Sequence, residues 1–311
     1  MNLKHYRPTN LNEFIGQEDI KFNLNIYLNA SLSSKTTLDH ILINGPSGVG
    51  KTSLAIIVSN ALNANISFIQ GSHLKKISDL LNVFSLLNKN DIIFIDECHM
   101  IDKTIFELLY TIMEDFVIDI PIGPDNNQKI NRLKLPKFTL ICATNFLNKL
   151  PNSFIDRFPI QFYLNWYNEQ DIYNILKQIL DKENISIENE HLKYLASISK
   201  NNPRNAINLL KRYLDFFNTD EIKNNNIENI FNKIGVFAGG LTKLDIDYLK
   251  IINSHKNISL QGISQNLSLD KASIENKIEN YLIKNNFINI NSKGRSLTSI
   301  GIAYLEKLNI K

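Results

Sequence analysis

The chain has 311 residues, 43% of them hydrophobic, and a formal net charge of +3. That length accommodates about two or three domains with cores of their own, and so small a net charge excludes nucleic-acid binding through bulk charge, leaving only a local patch. The two cysteines, Cys98 and Cys142, have no metal-ligand company and fit a reducing compartment; without an apolar run of membrane-spanning length or a signal-like N-terminus, the expected location is the cytoplasm, with no membrane partner.

Residues 7–17 read as a polar arm with an apolar end, and Asp19 to Leu32 carries helical spacing through Ile20, Leu24, Tyr27 and Leu28. His40 to Asn44 reads as a buried strand. It runs into Gly45-Pro46-Ser47-Gly48-Val49-Gly50-Lys51-Thr52, which fits G-x-x-x-x-G-K-[ST], and then into an apolar helix start from Ser53 to Val58. Strand, glycine loop and helix are the context that a phosphate-binding loop needs. Glycines let the backbone turn its N–H groups toward an anion, and the helix N-terminus favours negative charge there. Gly45, Gly48, Gly50, Lys51, Thr52 and Ser53 are therefore the expected nucleotide-binding residues, with ATP and Mg²⁺ as cofactors. Lys51 reaches the β- and γ-phosphates and Thr52 holds the metal.

Ile66 to Ile69 reads as a second strand and the stretch around Ile77 to Leu87 as a helix. Asp91 to Glu97 and Phe138 to Asn145 then read as buried parallel strands with polar groups at their ends, so the pattern predicts a parallel α/β sheet. Ligands in such sheets sit beyond the carboxyl ends of the strands. Asp96 is expected to hold Mg²⁺ and Glu97 to orient and polarise the attacking water; taken alone, the pair also fits a solvated strand end. Asn145 is placed to hydrogen-bond the γ-phosphate or that water, or to close the strand as a turn residue.

Between these strands, Phe116 to Ile122 alternates, 123–127 reads as a turn, and Arg132 to Leu135 alternates back, predicting a β-hairpin with an exposed edge at Pro121. Its apolar positions Ile118, Ile120, Ile122 and Leu133 form either a docking face or part of the core. Amphipathic helices follow at Gln170 to Leu180, His191 to Ser199 and from Pro203 onward, forming a small helical domain that ends near Gly239-Gly240. Three further helices (Lys243 to Ile252, Leu260 to Asn266 and Lys271 to Ile283, the last capped by Asp270) and a hairpin from Phe287 to Thr298 read as a winged helix. Ile274, Ile278, Tyr281 and Leu282 form the inward stripe of its third helix. Lys293 and Arg295 at the wing tip suit DNA phosphates; a protein-interaction winged helix with a solvated wing is the other reading.

Taken together, the chain resembles the AAA+ ATPases and, within them, the RuvB family of Holliday-junction branch-migration motors. Besides the P-loop, the resemblance rests on Arg7-Pro8, Phe14-Ile15-Gly16-Gln17, Phe94 to His99, Met113 to Phe116 with the hairpin, Phe138-Thr139-Leu140, Asp156-Arg157-Phe158, Pro203-Arg204 and Lys293-Gly294-Arg295. It implies a large AAA+ domain over 1–166, a helical lid over 167–237 and a winged-helix domain over 238–311. It also implies a homo-hexameric ring, duplex DNA at four-way junctions as substrate, a RuvA-like junction-binding partner docking on the hairpin, and a junction resolvase as a further partner. Phe14 and Ile15 match the segment that packs on adenine, Arg157 the arginine finger that reaches a neighbour's γ-phosphate, and Arg204 the sensor-2 arginine of the lid. Departures from the family pattern are Cys98 for Ile, Asn145 for Thr, Phe146 for Arg, Ile155 for Arg, Asn131 for an apolar residue and Asn201-Asn202 for Gly-Thr. Two other activities fit parts of the same pattern. A clamp-loader-like AAA+ switch has no need of the winged helix, and an ATP-sensing DNA-binding regulator has no need of Glu97 and Arg157.

Overall fold

The computed structural model describes residues 6–122, 129–217, 226–255 and 257–308. These fall into two compact units, one running through Ile175 and including Asn202–Arg204, the other made of Leu176–Asn201 and the chain from Asn205 onward.

The first unit is built on a parallel sheet of β1 (Ile41–Asn44), β2 (Ile66–Gln70), β3 (Ile92–Asp96), β6 (Thr139–Thr144) and β7 (Ile160–Tyr163), in the order β2-β3-β6-β1-β7. Strands covered on both faces have no solvent side to satisfy, so they read as continuous apolar runs rather than alternating ones. Ile41 to Ile43, Ile92 to Ile95 and all of β6 are accordingly buried. The connecting helices are α1 (Glu18–Ser34), α2 (Lys51–Leu62), α3 (Ile77–Phe84), α4 (Lys103–Asp115) and α5 (Asn152–Ile155). The register levels the strand ends: Asn44 lies beside Thr144, and Ile95 beside Cys142. The P-loop, the Asp96-Glu97 pair and Asn145 therefore leave the sheet along one carboxyl edge.

The expected hairpin forms as β4 (Val117–Ile122) and β5 (Lys129–Lys134), a separate two-stranded antiparallel sheet. Its apolar positions divide. Ile118 is buried in the core with Leu109, Ile112 and Phe138, and Ile120 packs against that core half-buried. The expectation that Ile118 belongs to a docking face is therefore corrected: it faces α4 and the sheet because the hairpin base closes over them. Leu133, opposite Ile118 on the returning strand, is 41% exposed. The turn at 123–128 and the side chain of Ile122 lie outside the described residues.

The second unit contains α7 (Asn189–Ser197), most of α8 (Pro203–Phe217), the end of α6 (Glu169–Glu183) and α9 (Ile227–Lys233). The winged helix follows as α10 (Lys243–His255), α11 (Leu260–Leu267), α12, β8 (Ile288–Asn291), β9 (Gly294–Leu297) and α13 (Ser299–Lys307). α12 is one continuous helix in three segments, Lys271–Ile274, a π-helical turn Glu275–Glu279 and Asn280–Lys284. Asp270 caps it by accepting from Ser273 N–H at 2.8 Å. Ile274, Ile278 and Leu282 are buried with Leu249, Ile252 and Ile263, and Tyr281 packs against them partly buried.

The wing differs from its reading in the sequence. Arg295 is not at the tip; it lies in β9, beside Ile290, and only Ser292 and Lys293 separate the strands. Its backbone exchanges hydrogen bonds with Ile258 (N–H to O at 2.8 Å and 3.1 Å). Its side chain makes a two-pronged ion pair with Glu279, Nε to Oε1 at 2.9 Å and Nη2 to Oε2 at 3.1 Å. Glu279 is 2% exposed and also accepts from Tyr248 Oη at 2.7 Å. An arginine satisfied by a buried carboxylate has little to offer a phosphate, so Arg295 is a wing-to-core tie rather than a DNA contact.

Candidate active site

In the P-loop, Gly48 has a φ of +85°, and a Cβ there would stand 2.6 Å from Asn202 Oδ1 and 2.8 Å from Arg204 Cβ. Only glycine permits both the turn and the approach. Lys51, at the start of α2, is buried, and its Nζ donates to the carbonyls of Gly45 (2.8 Å) and Pro46 (2.9 Å). Burial lowers the Lys51 pKa, with Glu97 and Asp96 pulling it back up. Thr52 and Ser53 follow in the same helical turn, half-buried.

At the end of β3, Asp96 Oδ1 accepts from Glu97 N–H at 3.0 Å, and Glu97 itself takes a left-handed φ of +51°. Burial, and then the neighbouring Asp96 carboxylate, push the Glu97 carboxyl upward, opposed by Lys51 and Arg204. A less acidic carboxylate is a better proton acceptor, which suits a group that polarises water. Across β6, Asn145 offers a buried Oδ1 with no hydrogen-bond partner among the described residues. An orphaned acceptor beside a P-loop lysine and two carboxylates fits a site completed by a nucleotide and its metal. Among the described residues no three acidic, histidine or cysteine side chains gather as a metal cage. Mg²⁺ takes few protein ligands and needs no such cage, so Thr52 and Asp96 are side chains that could hold it.

Further residues close around the loop. Phe14 is buried and touches Gly50, where a Cβ would stand 3.0 Å from its ring; Ile15 beside it is half-buried. Arg204 Nη1 donates to Ser47 Oγ at 2.9 Å. The structure thus gathers Phe14, the P-loop, Asp96, Glu97, Asn145 and Arg204 within one unit. Arg157 makes its contacts elsewhere: its Nε is 3.1 Å from Glu114 Oε1, and its guanidinium lies 4.2 Å over the Tyr110 ring.

Several residues at this site escape sequence reasoning. Tyr167 donates to Val49 O at 3.1 Å, a contact across 118 residues that no local pattern announces; burial pushes its hydroxyl pKa upward. Asn202 donates from Nδ2 to Ser47 O at 2.7 Å and accepts from Arg204 N–H at 3.0 Å. Its place just before Pro203 is a legible helix-cap signal, although its hold on the P-loop is not. His99 and Thr144 join β3 to β6, with His99 Nδ1 3.0 Å from Thr144 Oγ1.

A parallel sheet with a P-loop and an acidic strand end on one edge, carried with a winged helix, defines the class: a AAA+ P-loop ATPase. Comparison with known proteins narrows it. Residues 6–164 match the Holliday junction DNA helicase RuvB P-loop domain, and residues 238–306 match the RuvB C-terminal winged helix domain. The Holliday junction branch migration complex subunit RuvB of Ureaplasma parvum is 44% identical over 304 residues, covering 97% of this chain and 96% of the relative. The corresponding subunit of Mycoplasmopsis pulmonis is 41% identical over 308 residues, covering 97% and 98%. Among solved structures, the Thermotoga maritima RuvB Holliday junction branch migration motor superposes with a TM-score of 0.84 at 29% identity, covering 98% of this chain and 99% of that one. A point mutant of the same protein gives 0.86 at 30%. The chain belongs to the RuvB family.

Proposed function

We propose that this chain is the ATP-driven motor subunit of Holliday-junction branch migration. The observation that carries the reading is the convergence of Lys51, Asp96-Glu97 and Asn145, whose Oδ1 has no partner among the described residues, on one sheet edge, in a chain that also folds a winged helix. Backbone N–H groups of the loop and Lys51 bind the phosphates, Phe14 and Ile15 pack on the base, and Arg204 reaches the nucleotide from the start of α8. Thr52 and Asp96 would hold Mg²⁺, which would supply charge neutralisation at the phosphates. Glu97 takes up and orients the attacking water while Asn145 holds it or the γ-phosphate. Arg157 acts across a ring interface; within its own subunit it meets Glu114 and Tyr110. A homo-hexamer of domains 1–166, 167–237 and 238–311 grips duplex DNA through the winged helix, with Lys293 at the wing tip. Leu133 and the outer hairpin meet a RuvA-like partner, and a junction resolvase completes the assembly.

The winged helix favours this reading over a clamp-loader-like switch. The test is the ATPase rate with no DNA, with linear duplex and with four-way-junction DNA, each with and without the RuvA-like partner. Hydrolysis stimulated most by junction and partner together is expected. Hydrolysis indifferent to both would reject the motor reading and return the chain to the general AAA+ class.

A further inference from the structure

Glu97 Oε2 is buried and takes no well-formed hydrogen bond among the described residues, although the Glu97 side chain as a whole is 37% exposed. The remainder of the side chain therefore faces outward while one oxygen is held inside. The group facing that oxygen is His99 Nδ1, at 3.3 Å. The same Nδ1 lies 3.0 Å from Thr144 Oγ1, which in turn accepts from Phe146 N–H at 3.0 Å. The imidazole is itself fixed: its ring meets Phe146 edge-on at 4.9 Å, and Lys149 Nζ covers the other ring at 4.2 Å. Thr144 and Phe146 flank Asn145, so the contacts of His99 join the tip of the acidic strand to the residues on either side of that amide.

The protonation of this ring follows from its neighbours. Burial, with Lys149 and Lys51 adding to it and Asp96 opposing, lowers the His99 pKa, so at neutral pH the ring is uncharged and only one of its nitrogens carries hydrogen. A bare Nδ1 would turn its lone pair toward an anionic oxygen that has no other donor. An Nδ1–H instead serves both Glu97 Oε2 and Thr144 Oγ1 from one position.

We propose that His99, as the Nδ1–H tautomer, is the positioning residue of Glu97: it holds Oε2 inward so that Oε1 is presented to the attacking water. This rests on the reading of Glu97 as the group that activates water, and adds to it the residue that aims the carboxylate.

Two measurements on the full chain test it. The first needs no turnover. With ¹⁵N-labelled histidine, the six histidines are assigned by substitution, and the ring nitrogens of His99 are read in wild type. A protonated Nδ1 is expected; a protonated Nε2 with bare Nδ1 would overturn the proposal. The second is kinetic. His99→Ala is expected to lower kcat by about 10–100-fold, the cost of a misaimed catalytic group, with the KM for ATP and nucleotide affinity unchanged. His99→Asn, whose amide N–H stands where Nδ1–H does, restores most of the rate, whereas His99→Gln, whose amide reaches the Nε2 position, does not. In a Glu97→Gln background, His99→Ala adds no further loss. Equal rescue by Asn and Gln, an unchanged kcat in a folded His99→Ala protein, or full additivity with Glu97→Gln would each overturn it. If His99→Ala fails to fold, the Asn and Gln comparison still decides. Wild-type protein that does not hydrolyse ATP would reject the ATPase reading instead, while the nitrogen spectrum would still report the His99 contact.

Discussion

At the scale of single residues, the buried polar groups define what this chain tolerates. His40 immediately precedes the P-loop strand β1. Its Nδ1 accepts from Leu140 N–H at 2.9 Å, and its Nε2 lies 3.1 Å from Met113 O. Because Nδ1 must accept, Nε2 must carry the hydrogen, and the folded ring is neutral. Burial accordingly lowers its pKa below 6.5. The unfolded chain takes up a proton near 6.5 and the folded chain does not, so stability is complete above that pH and falls as pH drops through it. The melting temperature of wild type is expected to decline on acidification from pH 7 to 5.5, with a limiting slope of about 1.4 kcal/mol per pH unit from this group. His40→Gln, which does not titrate there, flattens the decline. An identical pH profile for the two proteins would remove His40 as its source.

At the scale of elements, the wing and the hairpin each divide into a structural half and a free half. Arg295→Ala strands Glu279 in the interior, and breaking a buried pair from one side costs about 3 kcal/mol. The winged helix is expected to melt earlier in that protein. Lys293→Ala should leave the melting curve unchanged, weaken duplex binding on all sequences and flatten the log–log salt slope by about one unit. Unchanged affinity and slope would take the wing off the DNA. In the hairpin, Ile118→Asp places an unpaired charge among Leu109, Ile112 and Phe138 and is expected to destabilise the first unit. Leu133→Asp should spare basal ATPase and abolish stimulation by the RuvA-like partner; loss of basal activity in this second protein would refute the docking role. The turn sequence Ser292-Lys293-Gly294-Arg295 reads as one basic tip because tight glycine turns and basic residues coincide there. Gly294 serves another purpose: with φ at +121°, it lets β9 press against Ile258, whose carbonyl a Cβ would meet at 2.4 Å. That approach turns Arg295 inward, and nothing within the turn sequence records it.

At the scale of the whole molecule, the finger reading of Arg157 has its own test. Arg157→Ala subunits are expected to fold and bind ATP without hydrolysing it, since a finger supplied in trans contributes about 10³–10⁵ in rate. Mixing them with Lys51→Ala subunits should recover part of the activity, because intact fingers then face intact P-loops. No recovery in rings shown to be mixed would assign Arg157 to its contacts with Glu114 and Tyr110 instead. The parallel sheet, the P-loop and the acidic strand end were legible in the sequence because each is written in a short continuous run: apolar strand, glycines, carboxylates. Tyr167 and Asn202 were not, because they meet the loop across 118 and 155 residues. Strand β7 is not legible either: unlike β1, an equally short strand, it runs into no motif that marks it. One further property follows from how the chain is threaded. Asn202–Arg204 belong to the first unit although the residues on either side of them belong to the second, so the backbone leaves the P-loop unit, returns for three residues and leaves again. The nucleotide site is therefore not contained in any continuous fragment that stops short of Arg204. A proteolytic nick near Leu176 would release a piece with every strand of the sheet and the entire P-loop, yet without the two side chains that hold Ser47.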